Sequence, residues 1–155
     1  MKPLETTPEE VLRQAIQSEV ATRAYYQKLA ERAATPDVKK RLLELADNEL
    51  LHRGTMERMY REHIGHAPPD PEPVDLEIPW DVIDLDLSHA LKLALERERE
   101  SESNYRFLAE RVPETDLGRL FSELAEIEWK HKSDLQAEYD TSYAADPEQF
   151  LRDLS

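Results

Sequence analysis

The segment NELLHRG, residues 48–54, places Glu49 three positions before His52, and EIEWKHK, residues 126–132, repeats that spacing with Glu128 and His131. Positions i and i+3 share one face of a helix, so each pair can offer a carboxylate oxygen and an imidazole nitrogen to the same ion. Two further glutamates, Glu19 and Glu98, fall where a helical pattern expects apolar residues. Four carboxylates and two imidazoles therefore point toward a core. Burying one unpaired carboxylate costs several kcal/mol even after relaxation, about 3–5 by mutational measure, and clustered carboxylates drive one another toward protonation. Two divalent cations balance four negative charges, and neutral histidines then act as nitrogen donors. A single Glu-x-x-His is common on helices, and a lone inward histidine is more often a hydrogen-bonded core residue. Two such pairs matched by Glu19 and Glu98 are far more specific. The competing arrangement, a buried salt-bridge network, lacks cations on the inward stripes; Arg23 lies beside one of them.

The elements that must position these groups are four long helices. The first starts at Thr7, with Pro8 in its opening turn and Glu10 completing a capping box, and is expected to run to about Ala33. The second starts at Thr35 and runs to about His63, with Gly65 as a left-handed stop. The third covers roughly Ser88 to Val112 and the fourth Asp116 to Tyr139, and a short C-terminal helix is expected after Asp146. The short links within 7–64 and 88–140 predict two antiparallel hairpins. Between them, residues 65–87 hold five of the ten prolines, which predicts an extended crossover running along a bundle. The chain is thus expected to be a single all-α domain, a four-helix bundle of two hairpins.

The hairpins repeat each other. At an offset of 79 residues, 14 of the 41 positions from Leu12 to His52 are identical to those from Leu91 to His131. Unrelated helices of this composition match at only a few positions, so the halves arose by duplication. Glu19 falls on Glu98, Glu49 on Glu128, His52 on His131 and Tyr26 on Tyr105. The inward stripes read Leu12, Ala15, Glu19, Thr22, Tyr26, Leu29 in the first helix and Leu91, Ala94, Glu98, Ser101, Tyr105, Leu108 in the third. One glutamate from each of two helices plus Glu-x-x-His from each of the other two is the ligand pattern of di-metal carboxylate bundles. Such donors suit iron or manganese, with zinc a further option.

Bulk properties narrow the functions. The 155 residues carry a formal charge of −14, which opposes binding to nucleic acid or anionic membranes. There is no cysteine, which excludes disulfides, thiolate nucleophiles and rubredoxin-type iron sites within this sequence. No apolar run approaches the ~20 residues of a membrane span, and the chain reads as soluble and cytoplasmic.

The segments AIQSEVATRAYYQKLAERA and ALERERESESNYRFLAERV, each followed by LADNELLH or LAEIEWKH, resemble the rubrerythrin-like branch of the ferritin-like superfamily. The resemblance covers nearly everything from Thr7 to Tyr139. It implies a di-iron centre in which Glu19 and His52 bind one ion, Glu98 and His131 the other, and Glu49 and Glu128 bridge. The cysteine-ligated rubredoxin domain of full-length rubrerythrins is missing. Their additional third-helix glutamate is replaced by Ser101, and its repeat mate is Thr22, which implies a symmetric six-ligand site as in bacterioferritin. Leu50 stands where bacterioferritin has its haem methionine, so haem is not implied. Tyr26 and Tyr105 are expected to pack near the site and to hydrogen bond to its ligands. Glu102, beside the seam, is a further group that could approach the ions. His63, His66 and His89 read as ordinary surface residues, and Trp129 as a dimer contact.

The expected activity is reduction of peroxide or dioxygen at two iron ions, with a separate protein as electron donor or Fe(II) itself as the reductant. Alternatives are ferroxidase or iron-storage chemistry, or a bundle whose metals only neutralise its core. The expected assembly is a homodimer.

Overall fold

The computed structural model of the chain describes residues 7–144, and within that span the fold is all-α. The helices are α1 (Pro8–Ala30), α2 (Pro36–Ile64), α3 (Leu87–Arg111) and α4 (Asp116–Ala144). They are the expected components of a four-helix bundle: α1 packs on α2, and α3 on α4. The chain divides into two compact units, one ending at Leu85 and the other beginning at Asp86. The short helix expected after Asp146 lies outside the described residues. No helix among those described is long and apolar enough to cross a membrane.

In the first unit both helix starts follow local chemistry. Thr7 Oγ1 accepts from the Glu10 amide at 3.2 Å, and Thr35 Oγ1 from the Val38 amide at 3.3 Å. Each satisfies one of the N–H groups that a helix start leaves open. The carboxylate of Glu10 is taken by Arg13 and Gln14 instead of closing a capping box. α1 ends at Ala30, short of Ala33. α2 ends on Gly65 at φ 94°, a conformation that a Cβ disfavours. Tyr60 donates to Glu9 at 2.7 Å, tying the end of α2 to the start of α1 and fixing the pair as antiparallel.

The crossover runs back along this hairpin. Near its start, Glu72 and Gln17 exchange two hydrogen bonds of 2.9 Å. Near its end, Val82 accepts from Arg32 at 2.9 Å, the Ala34 amide donates to Leu85 at 2.8 Å, and the Leu85 amide donates to Arg32 at 2.9 Å. The proline-rich segment is therefore an extended strap from one end of α1 to the other.

In the second unit Asp86 caps α3, accepting from the His89 amide at 2.8 Å, so the helix starts at Leu87. The α3–α4 turn closes on Thr115, whose hydroxyl donates to the Val112 carbonyl at 2.7 Å and accepts from the Gly118 amide at 2.9 Å. Gly118 is required there, because a Cβ would lie 2.1 Å from that carbonyl oxygen. At the other end Ser88 and Ser142 share a hydrogen bond of 3.1 Å. α4 runs five residues beyond Tyr139.

The inward stripes are observed with one shift. In α1 all six expected residues are buried, including Glu19 and Thr22. In α3 Leu91, Ala94 and Glu98 are buried, but Ser101, Tyr105 and Leu108 are half-buried and Glu102 is buried in their place. Val38, Leu42, Leu45 and Met56 of α2, and Phe121, Leu124 and Leu135 of α4, complete the apolar sides. Each fully buried leucine contributes roughly 1.5–3 kcal/mol, which holds the carboxylate-bearing turns in place.

Candidate metal centre

In the first unit the long apolar stripes of α1 and α2 set Glu19 opposite Glu49 and His52. The carboxylates are 4% and 3% exposed, so these charges have been taken out of water. His52 Nδ1 lies 3.4 Å from Glu49 Oε2 and 3.9 Å from Glu19 Oε2. The second unit repeats the arrangement. His131 Nδ1 lies 3.7 Å from Glu98 Oε2 and 3.7 Å from Glu128 Oε2. Within each triad, one ligand atom per residue lies within 4.8 Å of the others.

These separations fit an ion better than direct hydrogen bonds, which lie at about 2.7–3.2 Å. Metal–nitrogen and metal–oxygen bonds of about 2.0–2.2 Å place neighbouring ligand atoms roughly 3–4 Å apart. Charge agrees with geometry, since two carboxylates and a neutral imidazole balance one divalent cation. The residues present therefore fit two carboxylate/histidine metal sites, one in each unit.

Electrostatics give the same account of the second triad. Burial alone would push the His131 imidazolium toward its neutral form. The negative charges of Glu128 and Glu98 facing the ring outweigh burial and raise its pKa to about 9. The pair of carboxylates thus holds a cation between them, a proton on His131 when no metal ion is bound.

The remaining expected residues are placed as follows. Tyr26 is buried and packs against Tyr25 with ring centres 5.9 Å apart, whereas Tyr105 is half-buried. Glu102 does not serve the triad. Lys132 Nζ reaches it at 2.6 Å and Arg106 Nε at 3.4 Å, and together they hold its carboxyl below the usual range against the opposing effect of burial. His63, His66 and His89 are exposed, and His89 is occupied by the Asp86 cap at 2.8 Å. Trp129 is 46% exposed. Sequence reasoning missed Arg53 and Val74, which line a cavity of about 140 Å³ reaching Glu19 and Glu49. Arg53 follows His52 directly, but nothing local reveals that the strap closes over it.

The family model for Rubrerythrin matches residues 10–139. The chain belongs to the Rubrerythrin family. The match spans both triads and the strap between them. Among solved structures, a hypothetical protein from Pyrococcus furiosus is similar, with 28% identity, a TM-score of 0.55, and coverage of 88% of this chain and 90% of that one. No curated protein matches the chain. Family membership and the two triads together support carboxylate/histidine metal sites in this rubrerythrin-family chain.

Proposed function

We propose that the protein is a di-iron oxidoreductase that reduces peroxide or dioxygen, taking its electrons from a separate donor protein. The observation that carries this reading is the pair of repeat-related triads, each with two buried carboxylates and a histidine gathered within 4.8 Å. Glu19, Glu49 and His52 would hold one ion, and Glu98, Glu128 and His131 the other. Iron bound there would supply two electrons to the oxidant.

The chain's own residues do the rest. Carboxylates can change between one- and two-oxygen binding as the charge beside them changes, so the glutamates absorb that change without moving the helices. Each ion would have only three side chains, two glutamates and one neutral imidazole, which leaves positions for a small molecule. The packed leucines and Met56 around the ligand turns restrict water and hold the donor atoms in position. Where Fe(II) itself is the donor, the same site works as a ferroxidase.

Anaerobic loading with Fe(II), followed by separate rapid mixing with peroxide and with dioxygen, tests this reading. The expected result is about two irons bound per chain, oxidised by peroxide or dioxygen faster than free Fe(II) under the same conditions. Failure to bind iron, or oxidation no faster than in solution, would overturn it. Regeneration by added Fe(II) alone, with product iron retained by a large assembly on light scattering, would favour storage over reduction of the oxidant.

A further inference from the structure

The two halves are alike in their triads and unlike beside them. At the 79-residue offset, Arg23 corresponds to Glu102 and Arg53 to Lys132. In the second hairpin these positions form a cation–anion pair, with Lys132 Nζ 2.6 Å from Glu102 and Arg106 adding a second contact. That place is filled and neutralised from within. In the first hairpin both positions are arginines, with no carboxylate supplied between them by the repeat. A cavity of about 140 Å³ occupies the space instead, lined by Arg23 and Arg53, by Glu19 and Glu49, and by Val74 of the strap.

The cavity is short of an acceptor. Arg23 Nε is buried and has no hydrogen-bond partner among the described residues. An N–H donor removed from water with nothing to receive it is costly, more so on a charged group. Arg53 Nε is held by Glu57 at 3.1 Å, which braces its guanidinium against the same wall. The charges of Glu19 and Glu49 are spoken for once their triad holds a divalent ion, Arg53 is paired with Glu57, and Arg23 then leaves the cavity positive.

We infer that the first hairpin carries an anion pocket beside its metal triad: Arg23 and Arg53 receive a small inorganic monoanion that reaches the ion held by Glu19, Glu49 and His52. The second hairpin is closed to such a ligand at the equivalent place by Glu102 and Lys132. The two ions are therefore inequivalent toward anions, and small anionic ligands enter at the first. This inference rests on the metal-site reading above.

Azide is a suitable probe, because its binding to ferric iron produces a visible charge-transfer band. The iron-loaded, oxidised full-length protein is titrated with azide, and iron per chain is measured on the same samples. The expected result is that Arg23→Gln and Arg53→Gln each raise the azide Kd about tenfold, that Arg23→Lys retains most of the affinity, and that Lys132→Gln changes it less than twofold. Increasing salt should weaken azide binding to the unmodified protein and have less effect on the double variant R23Q/R53Q. Should R23Q fail to keep its helix content by circular dichroism, R53Q and the salt series decide. Full iron content with the same azide Kd in R23Q and R53Q as in the unmodified protein overturns the anion pocket and leaves the metal reading standing. Absence of bound iron in the unmodified protein overturns both.

Discussion

The protonation of His131 offers a quantitative test of the carboxylate cage. In the metal-free protein its pKa is raised from 6.5 to about 9, because Glu128 and Glu98 outweigh the effect of burial. A histidine with a raised folded pKa stabilises the fold fully below its unfolded value and loses that contribution as pH rises through the folded value. Between pH 6.5 and 9 the difference amounts to roughly 3 kcal/mol, at about 1.4 kcal/mol per pH unit. Metal binding must displace that proton, so affinity at this triad should climb about tenfold per pH unit up to pH 9, or about 100-fold from pH 7. The assay is an NMR titration of the His131 ring proton in the metal-free protein, paired with zinc-binding calorimetry in two buffers of different ionisation enthalpy. A midpoint near 9 is expected, falling toward the ordinary value in Glu98→Gln and Glu128→Gln, with about one proton released from His131 as its triad binds zinc at pH 7. A midpoint at or below 6.5, or no proton release, would refute the cage.

The other expected outcomes concern metal, charge and packing. Glu49→Ala should lose metal at its triad by elemental analysis, and full occupancy would count against the ligand assignment. Verified chelation should lower the melting temperature by about 5–10 °C, since an ion present at about 100 times its Kd stabilises by roughly 2.7 kcal/mol; an unchanged melting curve would oppose the charge argument. Lys132→Ala leaves buried Glu102 with only Arg106 and should cost about 1–3 kcal/mol in denaturant melts, below the usual cost of a buried pair because the Lys132 side chain is 27% exposed. Because the Glu102 pKa is lowered, that contribution is present above about pH 4.5 and is lost as pH falls through the depressed value. Gly118→Ala should destabilise by about 1–3 kcal/mol through its clash with the Val112 carbonyl, whereas Gly54→Ala, in open space on α2, should stabilise by roughly 0.5–1 kcal/mol.

Much of the fold was legible because its signals are local. Thr7 and Thr35 mark helix starts through side chains that reach amides three residues away, and Gly65 marks a stop through its backbone alone. The triads were legible because duplication wrote the same spacing twice. The exceptions have a deciding partner far off in sequence. The same spacing keeps Thr22 buried in α1, yet in α3 Ser101 is half-buried and the buried position belongs to Glu102. Its counter-charge, Lys132, lies 30 residues away. α4 continues to Ala144, past the expected end at Tyr139, because nothing directly after Tyr139 interrupts the helix. The strap's prolines predict an extended segment, but its bonds to Gln17 and Arg32 join residues 50 or more positions apart.

Connectors are usually the parts of a protein that tolerate trimming best. Here, shortening the link between the halves would strip Gln17 of Glu72, Ala34 of Leu85, and the arginine-lined hollow of the valine that roofs it. The joint doubles as upholstery for the first half, so insertions or deletions in it should be felt at the Glu19 side.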